Sequence, residues 1–434
     1  MGKKVAICTL GCKVNTYESE AVRQQFEKYG YTSVDFSEHA DVYIINTCTV
    51  THLGDRKSRQ MIRRTKQINP DSTLVVMGCY SQVAPDEVAK IKEVDIIAGN
   101  ENKGDIYKIV EDFKEQAQKI SVVTDISKTT EFEELEVTGY EGRTRAILKI
   151  QDGCNNFCSY CIIPYARGRI RSRRIQSCIK EAKRLVSRGF CEIVLVGIHI
   201  ASFGRDTGEK LIELLRELND IDGIERIRMG SLEPTLFDES FTSEISKLSK
   251  ICRHFHLSLQ SGCDETLKRM NRKYTTREYM ASVNRIRNVF SDAAITTDIM
   301  VGFPGETDKE FEKTLEFVKN VSFAEAHIFK YSIRKGTVAE KMINQIDAHA
   351  KEERSKKLIA LTNGTRDEFL SSFTGKDVSV LFEREFKGEA GVYEGKTDNY
   401  ITVIAKSEKD LSGKIKNVKI EKIKNAIAYG VITY

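Results

Sequence analysis

The segment Asp152-Gly-Cys-Asn-Asn-Phe-Cys-Ser-Tyr-Cys-Ile162 carries three cysteines, Cys154, Cys158 and Cys161, separated by three residues and then by two. One tight loop with this spacing can turn three sulfurs toward a single cluster. A cubane [4Fe–4S] cluster is held at its iron corners by Cys thiolates, so three ligands leave one iron open. A structural zinc site is the alternative, but it requires four closed ligands, and no second Cys or His pair lies nearby. The spacing therefore favours an iron–sulfur cluster with an open corner.

Three further cysteines, Cys12, Cys48 and Cys79, each follow a β-like apolar run near the N-terminus. If these strands are parallel, the three sulfurs emerge at the same edge of the sheet and form a second three-thiolate site. Buried structural thiols are the alternative, because Cys is often buried. Gly11 and Gly78 stand beside two of these cysteines and permit tight turns, which favours the interpretation as ligands.

Length and composition indicate a globular chain of two or three domains, with 434 residues of which 40% are hydrophobic and 30% charged. No apolar run is long enough to cross a bilayer and the first residues do not form a signal peptide, so we expect a cytoplasmic protein without a membrane partner. In that compartment the 11 cysteines are more often ligands or buried thiols than disulfides.

The hydrophobic pattern divides the chain into four segments. Residues 1–123 alternate apolar strands with helices, which is typical of an α/β domain with a mostly parallel sheet. Residues 124–143 are acidic without clear periodicity and predict an exposed linker. Residues 144–370 hold six strands, each followed by a helical pattern, and predict an incomplete (β/α)6 barrel whose site lies at the strand ends. Residues 371–434 predict a small antiparallel β-barrel.

The basic residues are concentrated in two runs, each within a few residues of a candidate ligand cysteine. A solvated helix face or loop is the ordinary interpretation of such a run. Beside a reactive site, however, basic groups suit a substrate that bears phosphates. The residues that we predict to contact RNA are Arg56, Lys57, Arg63, Arg167, Arg171 and Arg173.

The cysteine loop at the end of the first barrel strand resembles the signature of the radical S-adenosylmethionine (SAM) enzymes. Together with the N-terminal three-cysteine domain and the small C-terminal barrel, almost the whole chain resembles the methylthiotransferases, and the last segment resembles their RNA-binding TRAM module. The motifs that carry the resemblance are Gly11–Ser19, Ile45–Thr51, Asp152–Pro164, Leu257–Cys263, Met270–Tyr274, Asp298–Thr307 and, in the TRAM-like part, Gly395–Tyr400.

The resemblance implies two [4Fe–4S] clusters and SAM as cofactors. The cluster at Cys154, Cys158 and Cys161 would bind SAM at its open iron and generate a radical, and a second cluster, at the three N-terminal cysteines, would hold the sulfur to be transferred. An electron donor and a sulfur source are implied partners. The radical step requires no acid–base pair of side chains, so no catalytic residue of that kind is assigned.

Residues that follow the barrel strands are candidates for contacts with SAM, because glycines there allow the backbone to approach a ligand closely. These candidates are Gly197, Gln260, Asp298 and Gly302. Glu233 either contacts a ligand or ends a turn before Pro234. His199 is assigned no role, because a lone His is more often structural.

The resemblance is closest to the group that methylthiolates C2 of N6-threonylcarbamoyladenosine at tRNA position 37, next to the anticodon. The stretches Lys13–Glu18, Thr49–Thr51 and Gly54–Arg59 carry this preference, and an anticodon stem-loop suits the basic runs. Sister groups act on isopentenyl-adenosine or on an aspartate of a ribosomal protein. A non-catalytic iron–sulfur protein that binds RNA or transfers electrons is an alternative of another class, although such a carrier needs no substrate cavity.

Overall fold

The structure, a computed structural model, describes residues 2–49, 52–116 and 118–433. It contains the three units that the hydrophobic pattern predicts: an N-terminal parallel α/β sheet, a central incomplete parallel barrel and a closed C-terminal β-barrel. The last residues of the motif that begins at Ile45, Val50 and Thr51, lie outside the described part of the chain. None of the described helices combines the length and the apolar character that a membrane span requires.

The N-terminal unit is a six-stranded parallel sheet with helices on both faces. Its elements are β1 (Lys4–Thr9), α1 (Lys13–Lys28), β2 (Thr32–Val34), β3 (Val42–Thr47), α2 (His52–Ile68), β4 (Thr73–Gly78), α3 (Cys79–Val83), α4 (Pro85–Ala89), β5 (Ile96–Ile97), α5 (Ile106–Gln116) and β6 (Ile120–Ser121). The strand order is β2-β1-β3-β4-β5-β6. Alternate residues of β3 enter two cores, Ile44 on one face and Ile45 on the other. Burial on both faces explains why the central strands read as continuous apolar runs.

The central unit is a parallel barrel that is open on one side. Its elements are β7 (Arg145–Lys149), β8 (Gln151–Asp152), α6 (Ile163–Arg167), β9 (Arg171–Ser172), α7 (Ile175–Ser187), β10 (Glu192–Val196), α8 (Leu211–Asn219), β11 (Arg226–Met229), β12 (Ser231–Leu232), α9 (Glu239–Ile245), β13 (His254–Leu257), α10 (Asp264–Arg269), α11 (Thr276–Val289), β14 (Ala294–Val301), α12 (Asp308–Val321), β15 (Glu325–Lys330) and α13 (Ala348–Ser371).

Two parallel ladders make up the barrel wall, β7-β10-β11 and β12-β13-β14-β15. A bridge between Ile227 and Ile251 joins them. Within the described residues no ladder pairs β7 with β15, which leaves the opening that an incomplete barrel predicts. Helix α1 of the N-terminal unit packs against β7 and so lies at the β7 edge of this opening.

The prediction of an exposed linker at 124–143 is wrong for residues 135–140, whereas residues 124–134 are mostly exposed. Leu135 and Val137 are buried in the barrel core, and the carbonyl of Leu135 accepts a hydrogen bond of 3.0 Å from Tyr17 Oη. The acidic residues on either side of Leu135 point outward, where Glu134 pairs with Arg173 and Glu136 pairs with Arg184. The alternation of acidic and apolar residues marks an extended segment with one buried face, which the acidic composition concealed.

The C-terminal unit is a closed five-stranded barrel with the strand order β16-β17-β18-β20-β19. Its elements are β16 (Asp377–Glu385), β17 (Val392–Thr397), β18 (Thr402–Lys406), β19 (Ile415–Lys424) and β20 (Ile427–Thr433). All pairings are antiparallel except β18 with β20, which is parallel. The pattern did not predict β17, which contains Gly395.

This small barrel docks on the amino ends of the central barrel strands. Arg226 donates to the backbone carbonyls of Ser379 and Lys396, at 2.8 and 2.9 Å. Arg228 donates to the carbonyls of Thr397 and Asp398, at 3.2 and 2.8 Å. The C-terminal unit therefore covers the floor of the central barrel, at the end opposite the loop of Cys154.

Candidate functional site

The loop with the first three cysteines leaves the carboxyl end of the first barrel strand, where a parallel barrel carries its site. Its tight path depends on Gly153. This residue has a φ of +70°, and a Cβ added to it would lie 1.8 Å from the carbonyl oxygen of Arg169. Burial raises the pKa of Cys154 to about 11 and that of Cys161 to about 12. As free thiols these groups are protonated at neutral pH, and a metal would have to displace the protons.

The three N-terminal cysteines follow β1, β3 and β4, which are neighbouring parallel strands. Cys12, Cys48 and Cys79 consequently lie at the same edge of the sheet, as the sequence predicts. Gly11 and Gly78 have φ angles of +101° and +98°. A Cβ on Gly11 would lie 2.9 Å from Cys48 Sγ, and one on Gly78 would lie 2.4 Å from an oxygen of a buried Asn. Both turns therefore require glycine beside the sulfurs.

Both sets of thiols have the donor chemistry of an iron–sulfur cluster, which is held by Cys thiolates. Among the described residues no three His, Cys, Asp or Glu side chains are placed to hold one metal ion. A cubane instead takes each thiolate at a different iron corner, and N–H donors to the sulfurs tune it. Such donors are present: the backbone amide of Asn156 for Cys154 (3.4 Å), Arg272 Nη1 for Cys158 (3.3 Å) and Asn100 Nδ2 for Cys79 (3.5 Å). The donor sets therefore fit [4Fe–4S] clusters.

One cavity of about 860 Å³ connects the two units. Cys154, Cys158 and Cys161 line it from the barrel loop, and Cys12 lines it from the residue that precedes α1. The cavity follows the inside of the barrel wall from this loop to the floor, where Tyr400 of the C-terminal unit contributes. All three units of the chain therefore surround one space large enough for a nucleoside and a second small molecule.

Comparisons with known proteins agree with this arrangement. Residues 148–318 match the radical SAM superfamily, and residues 4–99 match an uncharacterized protein family, UPF0004. A protein of Bacillus subtilis named threonylcarbamoyladenosine tRNA methylthiotransferase MtaB is 44% identical over 422 residues, which cover 96% of this chain and 94% of that protein. The chain belongs to the radical SAM methylthiotransferase family. It is an enzyme, and its membership of the radical SAM superfamily supports the use of an iron–sulfur cluster and SAM.

Other relatives of this methylthiotransferase carry two different substrate names. A protein of Aquifex aeolicus with the same name as the Bacillus relative is 40% identical and covers 96% of this chain and 100% of its own length. A tRNA-2-methylthio-N(6)-dimethylallyladenosine synthase of Thermoanaerobacter pseudethanolicus is 39% identical, and the match covers 96% of this chain and 90% of that protein.

Solved structures share the fold of the methylthiotransferase. The radical SAM methyltransferase TsrM from Kitasatospora setae, solved with cobalamin and a [4Fe–4S] cluster bound, superimposes with a TM-score of 0.56 at 15% identity, covering 76% of this chain and 75% of that one. The cobalamin-dependent radical enzyme OxsB, with SAM bound, superimposes with a TM-score of 0.52 at 11% identity. The match covers 85% of this chain and 56% of that one. The N-terminal sheet and the open barrel therefore form a known combination of folds.

Three of the four predicted SAM contacts line the cavity of the methylthiotransferase, namely Gly197, Gln260 and Asp298. Gln260 is the most informative, because its Oε1 is buried without a hydrogen-bond partner and its φ is +67°. Such an atom suits a ligand that donates a hydrogen bond. Gly302 does not line the cavity; its amide donates to Glu306 at 2.7 Å, which indicates a structural turn.

Sequence reasoning missed a polar network in the upper cavity. Glu233 lies 2.7 Å from His199 Nε2 and 3.3 Å from both Arg272 Nη2 and Asn156 Nδ2. Burial alone would raise the pKa of Glu233, but His199 and Arg272 outweigh it and lower that pKa to about 2. Because Arg272 also reaches Cys158, the network couples the barrel wall to the cysteine loop. The sequence could have indicated this network, because His199 and Glu233 both follow barrel strands, where a parallel barrel carries its site.

Three arginines of the second basic run are not accessible to RNA. Arg167, Arg171 and Arg173 are at most 4% exposed. Arg167 is bonded to Asn15, Glu18 and Asp152, Arg171 lies 3.8 Å from Asp152, and Arg173 pairs with Glu134 and Glu181. A guanidinium enclosed by carboxylates has neither the access nor the free charge to bind a phosphate. The prediction for these three arginines is therefore wrong.

The first basic run has a different environment. Arg56, Lys57 and Arg63 are exposed side chains on α2, the helix that follows the Cys48 loop. They remain available for contact with RNA, and their role stays a prediction.

Proposed function

We propose that this enzyme transfers a methylthio group to C2 of N6-threonylcarbamoyladenosine at position 37 of tRNA, using two [4Fe–4S] clusters and SAM. Its RNA partner would be the anticodon stem-loop, which it would meet in the cytoplasm. An electron donor and a sulfur source would complete the reaction. The group bound at Cys154 would supply a SAM-derived radical, and the group at the N-terminal cysteines would supply the sulfur.

The observation that carries this proposal is the shared cavity. Cys12 of the N-terminal unit and the three cysteines of the barrel loop open onto the same space. An adenine between them would present one ring edge to both sides at once, as an exchange of hydrogen for a methylthio group requires. The residues of the chain would orient the reactants and exclude water, because the cavity is closed below by the C-terminal unit.

The substrate choice rests on the relatives and on charge. Proteins of Bacillus subtilis and Aquifex aeolicus whose names specify threonylcarbamoyladenosine are 44% and 40% identical to this chain. The floor of the cavity carries the ammonium group of Lys13, beside an Arg228 that already pairs with Glu192. A threonylcarbamoyl group ends in a carboxylate, whereas a dimethylallyl group has no charge.

Anaerobic reconstitution tests the two clusters. We expect about eight irons per chain, with cleavage of SAM on reduction. Cys79→Ser should bring the content to about four irons and preserve SAM cleavage, whereas Cys158→Ser should also leave about four but abolish it. Cys252→Ser is the matched control, because this buried thiol lies outside both sets. About four irons in the unsubstituted protein would contradict the two-cluster proposal.

Nucleoside analysis tests the substrate. Mass spectrometry of tRNA from a deletion strain should show the loss of 2-methylthio-N6-threonylcarbamoyladenosine and the accumulation of its unthiolated precursor. Loss of the methylthio group from dimethylallyladenosine instead would assign the chain to the sister activity. Unchanged nucleosides in both cases would reject a tRNA substrate of either kind.

A further inference from the structure

The floor of the cavity is built by side chains from all three units. Tyr400 of the C-terminal barrel stacks on His254 at the start of β13, with ring centroids 4.8 Å apart. The guanidinium of Arg228 lies 4.8 Å from the centre of the same tyrosine ring. Lys13, the first residue of α1, lines both this cavity and the smaller one beneath it. Sequence reasoning assigned none of these residues a role.

Most of the positive charge at the floor is already neutralised or engaged. Arg228 pairs with Glu192 at 2.6 Å, and Arg145 pairs with Glu383 at 2.8 Å. Each arginine is held in place by these carboxylates and by the Tyr400 ring.

Lys13 differs from these arginines. In the described part of the chain, nothing accepts a hydrogen bond from its Nζ or forms an ion pair with it. Its side chain is exposed and lines the cavity, where Tyr400, two cations (Arg145 and Arg228) and one carboxylate (Glu192) lie within electrostatic range of the ammonium group. Glu192 is already shared by Arg226 and Arg228, so among the described residues the ammonium group of Lys13 has no carboxylate of its own and is available to a bound anion.

The backbone around Lys13 also favours an anion. Helix α1 has 16 residues, and its N-cap, Cys12, makes no side-chain capping bond. The N–H groups of the first turn and the helix dipole therefore present positive potential at the same place as the ammonium group. Because Lys13 directly follows Cys12, an anion held here would be anchored next to the one N-terminal cysteine that opens onto the cavity.

We propose that Lys13 determines substrate specificity by binding the carboxylate of the threonylcarbamoyl group, an inference that rests on the proposed function. The contact would pair the unpartnered cation with the only charge that distinguishes this modified base from a dimethylallyl one. An apolar group at the same place would leave the ammonium desolvated and unpaired, which disfavours the sister substrate. Tyr400 and His254 would form the aromatic wall beside the bound chain.

The test compares two anticodon stem-loops, one with N6-threonylcarbamoyladenosine and one in which the threonyl carboxylate is an amide. For the reconstituted enzyme we expect kcat/KM and affinity, measured by fluorescence anisotropy, to favour the acid by about 10- to 100-fold. Lys13→Gln should remove this preference by lowering the values for the acid and leaving those for the amide within about threefold. Lys13→Arg should retain most of it. Lys309→Gln, at an exposed lysine on α12, is the matched control and should change nothing.

Iron content and cluster absorbance must be measured in parallel, because Lys13 adjoins a candidate ligand. If Lys13→Gln lowered kcat/KM and affinity equally for both RNAs while the iron content stayed unchanged, the proposal would be overturned, because this result would indicate a general contact with RNA. An unsubstituted enzyme that binds the acid and the amide equally would overturn it without reference to any variant. An enzyme that methylthiolates dimethylallyladenosine but not the threonylcarbamoyl substrate would instead overturn the proposed function itself.

Discussion

A buried ionic network joins the N-terminal unit to the barrel, and its central carboxylate is Glu18 of α1. Glu18 accepts hydrogen bonds from Arg167 and, at 2.8 Å, from Lys149 Nζ, and it lies 3.6 Å from Lys103 Nζ. The side chains of all four are at most 1% exposed. Asp152 is the other carboxylate that these cations contact, 2.6 Å from Lys149 and 3.2 Å from Arg167. We predict that Glu18→Gln destabilises the protein strongly, because it leaves the cations with one carboxylate.

Two arguments give the loss in the free energy of unfolding that we expect from Glu18→Gln. Burial alone would raise the pKa of Glu18, but Arg167, Lys103 and Lys149 outweigh it and lower the value from 4.5 to about 2. A depression of this size corresponds to roughly 3 kcal/mol. Removing one member of a buried charge network costs about 3–5 kcal/mol. Since the folded-state pKa lies below the unfolded one, this stability is fully present above pH 4.5 and is lost as the pH falls toward 2.

The assay is urea unfolding of the apoprotein at pH 7, with the first transition followed because a chain of three units need not unfold in one step. Glu27→Gln on the same helix is the matched control. Glu27 is 33% exposed and pairs with Arg23, so its loss should cost about 1 kcal/mol or less. Equal destabilisation by the two substitutions would refute the reasoning that the network holds the units together. So would a Glu18→Gln variant whose stability still falls between pH 4.5 and 2 as steeply as that of the unsubstituted protein.

Two other substitutions test the cysteine turns and the exposed basic helix. Gly78→Ala should displace Cys79 and reduce reconstituted iron from about eight to about four per chain, whereas Gly142→Ala, which also has a positive φ but no atom within 4 Å of the added Cβ, should leave iron content unchanged. Replacing Arg56, Lys57 and Arg63 together by Gln should weaken tRNA binding and reduce the dependence of log affinity on log salt by up to about 3, while SAM cleavage without RNA stays the same.

The sequence predicts well whatever depends on local pattern. Apolar runs identified β1, β3, β4 and β7, the strands that place the cysteines, because strands covered on both faces of a sheet read as continuous apolar runs. The spacing within Cys154–Cys161 predicted a single loop because the three residues are close along the chain. The strands β2, β5 and β6 have three, two and two residues, too few to give a clear periodic signal, and only β5 lay inside a longer apolar run.

Contacts between distant parts of the chain were not predictable. Arg167 and Arg173 look like members of an exposed basic run until the fold brings Glu18 and Glu181 to them. The first of these pairs joins residues that are 149 positions apart. Charge density along a sequence cannot distinguish a surface for phosphates from a buried ionic network, because both require the same residues. Only the positions of the carboxylates separate them.

The buried network also explains how Cys12 can face the barrel loop. Glu18 lies six residues after Cys12 on α1, less than two helical turns away, or roughly 9 Å along the axis. Fixing Glu18 against Arg167 and Lys149 of the barrel therefore fixes the start of the helix as well, and with it Cys12 and Lys13 at the cavity. A surface salt bridge could not do this, because exposed pairs hold their side chains only weakly. Disrupting the network by Glu18→Gln should therefore lower the stability of the protein and also weaken its preference for a substrate with a carboxylate. The second effect is expected although Glu18 itself does not line the cavity.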